Sequence, residues 1–215
     1  MELYHVLNRG VEKRDLFLDS RDYARFVHDM YEFNDTRRAQ NTRRIPMTGF
    51  VNPSLGRERI VDIHGWCLMK NHYHLLLSEC RTGGISLFMK KLNIGYANYF
   101  NERYSRSGSL FQGRTKKKHV DSDAYFLHIL NYIHLNPLDY LEGAKDWRLR
   151  KISNSYSAME YLKSYRWSSF LDYCDMKNFP SVLTQDVFNE ICSEKTTARY
   201  LKNIELAEME TYLLE

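Results

Sequence analysis

The sequence predicts an α+β fold in which an antiparallel sheet is covered by helices. Two adjoining segments, Val61–Met69 and His72–Glu79, have the composition of strands, and the two residues between them match the length of a tight hairpin. Residues 3–8 form another strand-like segment, and three longer segments repeat apolar residues at helical spacing. The order strand, helix, strand hairpin, helix, strand, helix favours one sheet with its helices on one face.

Two helices are predicted in the first half of the chain. The first has Asp19 or Ser20 as its N-cap, because both side chains can accept a hydrogen bond from a free N–H of the first turn, and it runs to about Phe33. The second covers 85–104, where apolar and aromatic residues follow a helical stripe. Residues 34–59 are rich in arginine, proline and glycine, which predicts a basic loop insertion, either solvated or contacting DNA.

A third helix is predicted from Asp121 or Ser122 to Asn136. It ends there because a proline disfavours the helical conformation in the residue before it. Beyond this helix the pattern is helical but weaker. The chain is therefore predicted to contain one domain at 1–145 and a helical C-terminal extension at 146–215.

Charge and composition limit the partners. The net charge is +4, but residues 181–215 carry net −4, so residues 1–180 carry +8. A basic body favours a polyanionic partner, because each lysine or arginine on a phosphate releases a counterion. No apolar stretch approaches the roughly 20 residues of a membrane span, and no signal peptide or glycine-rich nucleotide loop is found. We therefore expect a cytoplasmic protein without a membrane partner or nucleotide cofactor.

The triplet His72-Tyr73-His74 lies on the second strand of the hairpin. Because successive strand side chains alternate between faces, the two imidazoles share a face about 7 Å apart and can converge on one metal ion. The alternative is a structural role, with one or both histidines hydrogen-bonded in a polar patch. The triplet alone favours this alternative.

Tyr132 and Asn136 lie one turn apart on the third predicted helix. The apolar stripe of that helix is formed by Phe126, Ile129, Leu130 and Ile133. At about 100° per residue, Tyr132 falls at the edge of this stripe, and Asn136 stacks beside it. Taken alone, a tyrosine at the core boundary and an asparagine before proline explain both residues.

Four motifs follow one another across residues 2–140. They are Tyr4-His5-Val6 with Arg9-Gly10, Trp66-Cys67-Leu68-Met69-Lys70-Asn71-His72-Tyr73-His74-Leu75-Leu76, Phe111-Gln112-Gly113-Arg114, and Tyr132-Ile133-His134-Leu135-Asn136-Pro137. In this order and spacing they resemble the IS200-like, single-tyrosine HUH transposases, and most closely the REP-associated tyrosine transposases. Trp167-Ser168-Ser169 is similar to the C-terminal part of longer members.

The resemblance implies a ferredoxin-like or RRM-like HUH nuclease core and a metal-dependent transposase. Such an enzyme cleaves and transfers single-stranded DNA through a covalent 5′-phosphotyrosine. Tyr132 matches the catalytic tyrosine. His72, His74 and Asn136 match the ligands of a divalent metal, Mg²⁺ or Mn²⁺. The chain departs from many members at Lys70, where they carry proline, which affects only the hairpin.

The resemblance also implies a partner, single-stranded or hairpin DNA, and a monomer or homodimer. Residues 103–119 contain arginines and lysines with no acid among them, which is typical of a backbone-binding surface or of a solvated charge run. The predicted DNA contacts are Arg9, Arg114, Lys116, Lys117 and Lys118.

Two alternatives to a transposase stay open. A domesticated DNA-binding or regulatory protein would recognise hairpin repeats without turnover. A replication initiator or relaxase uses the same chemistry, but normally carries a helicase domain or a long extension, for which too little chain follows residue 140.

Overall fold

The computed structural model describes residues 2–37, 56–149 and 152–191, and a four-stranded antiparallel sheet forms its centre. The strands are β1 (Leu3–Arg9), β2 (Val61–Met69), β3 (His72–Glu79) and β4 (Lys116–Val120). Their order in the sheet is β2-β3-β1-β4. The predicted α+β class with an antiparallel sheet is confirmed, and both strands of the predicted hairpin have the expected bounds.

Helices pack around this sheet. They are α1 (Ser20–Glu32), α2 (Gly84–Arg103), α3 (Asp123–Leu135), α4 (Ser155–Ser164), α5 (Phe170–Tyr173) and α6 (Asp186–Ile191). The first three lie within a residue or two of the predicted bounds. Their N-caps follow the predicted chemistry: the side chain of Asp19 accepts from two backbone N–H groups of α1, and that of Ser122 accepts from one of α3.

The expectation that helices cover one face of the sheet is wrong, because they cover both. Tyr73, Leu75 and Leu77 of β3 belong to a core that includes buried residues of α1 and α2. Leu76, between them, belongs to a second core with α3 and with the C-terminal segment, by which we mean the described residues after 145. The near-continuous apolar run of β3 is typical of a strand that is buried on both faces.

The C-terminal segment covers the outer edge of β2. The backbone N–H of Leu68 donates to the carbonyl of Trp167, and that of Ser169 donates to the carbonyl of Trp66, each at 2.9 Å. The hydroxyl of Tyr165 adds a bond to the Leu68 carbonyl at 2.7 Å. Because an exposed sheet edge invites pairing with other chains, these bonds protect the fold. The domain boundary at residue 145 stays a prediction.

Most of the basic loop at 34–59 lies outside the described residues, as do 192–215. Its two described ends are joined by the buried Asn34, whose amide oxygen accepts from the backbone N–H groups of Ile60 and Val61 at 3.0 and 2.9 Å. Arg57 stacks on the ring of Tyr31, with 3.6 Å between the guanidinium carbon and the ring centroid. This arginine therefore has a structural role at the base of the loop. In the described part of the chain, no helix is long and apolar enough to cross a membrane.

Candidate active site between the sheet and helix α3

His72 and His74 lie on the face of β3 that α3 covers. Their ring centroids are 5.0 Å apart and the rings are nearly perpendicular, at 85°. His74 is 5% exposed and His72 is half-buried. Nδ1 of His72 lies 2.7 Å from the amide oxygen of Asn71, which orients that ring. The strand alternation thus places both imidazoles on one face, as the sequence predicts.

His5 of β1 extends this pair into a cluster. Its Nε2 lies 3.0 Å from Nδ1 of His74, and the two rings stack with 5.2 Å between centroids. Nε2 of His74 is buried without a hydrogen-bond partner in the part of the chain that the structure describes. Sequence reasoning assigned no role to His5. The Tyr4-His5-Val6 motif contains this histidine, but the sequence of a strand does not show which other strand lies beside it.

Burial keeps this cluster uncharged. It lowers the pKa of His5 to about 4, and the nearby charge of Lys118 acts in the same direction. Burial, followed by the charge of Arg9, lowers the pKa of His72 to about 4. Burial and the neighbouring histidines hold the pKa of His74 well below its usual value. The neutral imidazole is the form that binds a metal ion.

Helix α3 places Tyr132 over the histidine cluster. The ring centroid of Tyr132 is 5.6 Å from that of His74 and 6.2 Å from that of His5, and both contacts are edge-on. Ile129 and Ile133 on the same helix are buried, and this sets the rotation of the helix about its axis. Tyr132 is only half-buried. The structure therefore brings the His72-Tyr73-His74 triplet and Tyr132 into contact within one chain.

Asn136 lies one turn after Tyr132 and is fully buried. Its amide nitrogen donates to the carbonyl of Tyr132 at 2.7 Å, and its amide oxygen accepts from Nη2 of Arg148 at 2.9 Å. A carbonyl oxygen has two lone pairs, so this atom retains one acceptor site. The described residues hold no group of three or more histidine, cysteine or acidic side chains arranged for a metal. The role of Asn136 as a metal ligand stays a prediction.

Arg148 and Asp139 also border the site, and sequence reasoning missed both. Arg148 lies in the 3₁₀ turn Trp147–Leu149 and forms a two-bond ion pair with Asp139, at 2.5 and 3.0 Å. Its guanidinium carbon is 5.6 Å from the ring centroid of Tyr132. Burial disfavours the charge, but Asp139 and Tyr132 outweigh it and raise the pKa of Arg148. No local pattern in the sequence marks this arginine.

Strand alternation divides the three predicted lysine contacts of β4 between the two faces. Lys118 is the partner of His5 across β1, so both side chains lie on the site face, and Lys116 shares that face. Lys117 is the partner of Val6, which is buried in the core on the opposite face. The basic triplet therefore offers two lysines to the site, not three.

Arg9 lies at the end of β1 directly opposite His72 and is exposed. The Phe111-Gln112-Gly113-Arg114 motif reaches the same end of the sheet, because the backbone N–H of Gln112 donates to the carbonyl of Arg9 at 2.8 Å. Arg114 is exposed as well. Two motifs that are far apart in the sequence thus meet beside the histidine pair.

Most residues of this site lie in a segment that matches a known family model. Residues 52–136 match the family model described as "Transposase IS200 like". The resemblance to the IS200-like transposases is confirmed. The matched residues include the histidine pair, Tyr132 and Asn136, whereas His5 and Arg148 lie outside them. The matched segment is thus similar to enzymes that cleave DNA and transfer its strands.

A solved structure shares the fold. It is described as a REP-associated tyrosine transposase bound to a REP hairpin, and it matches with a TM-score of 0.54 and 13% sequence identity. The match covers 86% of this chain and 87% of that chain. At this identity, the likeness establishes the common architecture. Among curated proteins, no sequence matches this chain significantly.

Proposed function

We propose that the protein cleaves and transfers single-stranded DNA through a covalent bond to Tyr132, and that its substrate is hairpin-forming repeat DNA. The observation that carries this proposal is the position of the Tyr132 ring, 5.6 Å from His74 and 6.2 Å from His5. Tyr132 is only half-buried, which leaves its side chain partly accessible on this face of the sheet.

The proposed reaction exchanges one phosphodiester for another. The phenol oxygen of Tyr132 attacks the phosphorus, and the bond from phosphorus to the 3′ oxygen breaks. The phenol loses a proton and the departing 3′ oxygen gains one, which leaves a 5′-phosphotyrosine and a free 3′-OH. Because the energy of the phosphodiester is conserved, another 3′-OH can reverse the step without nucleotide hydrolysis.

The histidine pair fits a divalent metal ion. Nε2 of His74 is buried and lacks a hydrogen bond within the described residues, and burial holds both imidazoles in the neutral form. We propose His72 and His74 as ligands, with the amide oxygen of Asn136 as the third. Mixed nitrogen and oxygen ligands admit Mg²⁺ or Mn²⁺, and Mn²⁺ tolerates imidazole better. When bound, the cation polarises a phosphoryl oxygen and offsets its developing charge.

The basic residues on the site face support a path for DNA. Arg9 and Lys118 lie beside His72 and His5 in the strand pairing, and Lys116 shares their face. Lysine and arginine on one face can follow a phosphate backbone without reading its sequence. The similar solved structure, which holds a REP hairpin, motivates a hairpin as the substrate.

The test uses single-stranded hairpins from the DNA that flanks the gene, labelled at either end and incubated with Mn²⁺. Native protein is compared with Tyr132→Phe and with the control Tyr73→Phe, which removes a hydroxyl one residue from each histidine but on the opposite face. The 3′ label is expected to migrate with protein on a denaturing gel, and the 5′ label as a shorter free strand. Tyr132→Phe is expected to form no covalent product, a loss of at least about a thousandfold.

Three results would contradict this proposal. Covalent product from Tyr132→Phe would exclude this tyrosine as the nucleophile, and a 5′ label on the protein would reverse the linkage. Tight binding without a covalent species on every flanking hairpin would instead support the domesticated binding protein.

A further inference from the structure

We propose that Arg148 is a further catalytic residue, whose guanidinium contacts the phosphate that Tyr132 attacks. This inference rests on the proposed function. Arg148 lies beyond the residues that match the family model, in the segment that follows α3. The C-terminal segment would then contribute to the chemistry in addition to covering the edge of the sheet.

The first support is the position of the Arg148 side chain relative to Tyr132 and Asn136. Its guanidinium carbon lies 5.6 Å from the ring centroid of Tyr132, and Nη2 donates to the amide oxygen of Asn136 at 2.9 Å. A positive group at this position offsets the charge that a phosphate brings.

The second support is the rigidity of the guanidinium. Asp139 accepts two of its N–H groups, at 2.5 and 3.0 Å, and also accepts the indole N–H of Trp147 at 2.7 Å. The guanidinium lies 4.3 Å above the ring of Trp147. Asp139 and Trp147 therefore act as positioning residues. An arginine fixed in advance stabilises charge without the cost of ordering it during the reaction.

The third support is the remaining capacity of the side chain. A guanidinium carries five N–H groups in a planar fork that suits a phosphate. Bonds to Asp139 and Asn136 occupy three of them. The side chain is 27% exposed, so a strand on the site face can reach it.

The test separates catalysis from DNA binding. Single-turnover rates of covalent product formation are measured at saturating hairpin for native protein, Arg148→Gln, Arg148→Lys and the control Arg166→Gln. Arg166 also stacks on an aromatic ring in the C-terminal segment, that of Trp167 at 5.0 Å. Hairpin affinity is measured separately, with each change combined with Tyr132→Phe so that no cleavage occurs.

Arg148→Gln is expected to lower the saturated rate by about 10²–10³-fold, the usual effect of removing one group that stabilises a transition-state charge. Hairpin affinity is expected to change by less than about fivefold, since Arg9, Lys116 and Lys118 also offer positive charge on the site face. Arg148→Lys keeps the positive charge but lacks the planar fork of N–H groups. Its saturated rate is therefore expected to lie between that of native protein and that of Arg148→Gln. Arg166→Gln is expected to retain the native rate.

A saturated rate of Arg148→Gln within about threefold of native would overturn the inference, as would a defect that disappears once DNA is saturating. If Arg148→Gln fails to fold by circular dichroism, Arg148→Lys decides the question: a native rate overturns the inference and a reduced rate with native melting supports it. If native protein forms no Tyr132-dependent product, the proposed function fails and this inference with it.

Discussion

The two faces of the central sheet share the same strands but hold their polar side chains differently. Tyr73 points to the face of α1 and α2, where it is fully buried and its hydroxyl donates to Asn93 at 2.7 Å. His72 and His74, one residue to either side, point to the face of α3. There, Nε2 of His74 is buried without a hydrogen bond in the described chain. On one face the buried tyrosine hydroxyl has a hydrogen-bond partner, while on the other a buried imidazole nitrogen has none within the described chain.

On the face of α1 and α2, the buried polar side chains form hydrogen bonds that hold the helices together. Asp22 is fully buried, and it accepts from the hydroxyls of Tyr99 and Tyr104 and from the guanidinium of Arg103. These bonds tie α1 to the end of α2. The difference between the faces shows that strand alternation lets one segment carry a core tyrosine on one side and the candidate site histidines on the other. A one-residue slip of β3 would exchange the two sets of side chains.

The largest effect is expected for a core change on the structural face. Phe26 is fully buried beside Tyr73 and Tyr96. Phe26→Ala leaves a cavity and is expected to lower the free energy of unfolding by about 3–5 kcal/mol, measured by urea denaturation. The rate of covalent product per folded molecule is expected to stay near native at a temperature where the variant is folded. A large decrease in that rate would show that the two faces are coupled.

A smaller effect is expected for His5→Ala on the site face. His74 presents Nε2 to a metal only if its Nδ1 carries the proton, and a hydrogen bond from Nδ1 to His5 favours that form. Removing this partner is expected to weaken Mn²⁺ binding by about 10–100-fold in calorimetry. The control is His119→Ala, which removes an exposed imidazole that packs against the ring of Tyr4. Equal Mn²⁺ affinity for both variants would refute the role of His5.

The smallest effect is expected for the lysines of β4. Combined Lys116→Ala and Lys118→Ala changes remove charge from the site face, whereas Lys117→Ala removes it from the opposite face. The double variant is expected to weaken hairpin binding severalfold and to reduce the salt dependence of log K by about 0.7 for each phosphate that is no longer neutralised. Lys117→Ala is expected to leave that slope unchanged. If all three lysines contribute equally, the division between the faces does not govern DNA binding.

Local features were predictable because they depend on neighbours in the sequence. The bounds of β2 and β3, the caps at Asp19 and Ser122, and the shared face of His72 and His74 follow from periodicity and capping chemistry. The family motifs added Tyr132 to the candidate site, and the structure places it over the histidines.

Non-local features were not predictable from these patterns. Which strand lies beside β3 decides that His5 meets His74, and nothing in either strand alone specifies that pairing. The expectation of helices on one face was wrong. The apolar stripe of α3 indicates that one side of the helix is buried, but it does not indicate on which face of the sheet the helix packs. Arg148 reaches Tyr132 through a short turn that has no periodic signal.

The sequence by itself determined the elements, the alternation along β3 and the family motifs, because each depends on a few consecutive residues. Only the tertiary structure decided the strand order, the division of Lys116 and Lys118 from Lys117, and the approach of Arg148 to Tyr132. The physical reason is that packing selects among many arrangements with the same local pattern, and it does so through contacts between residues that are distant in the chain.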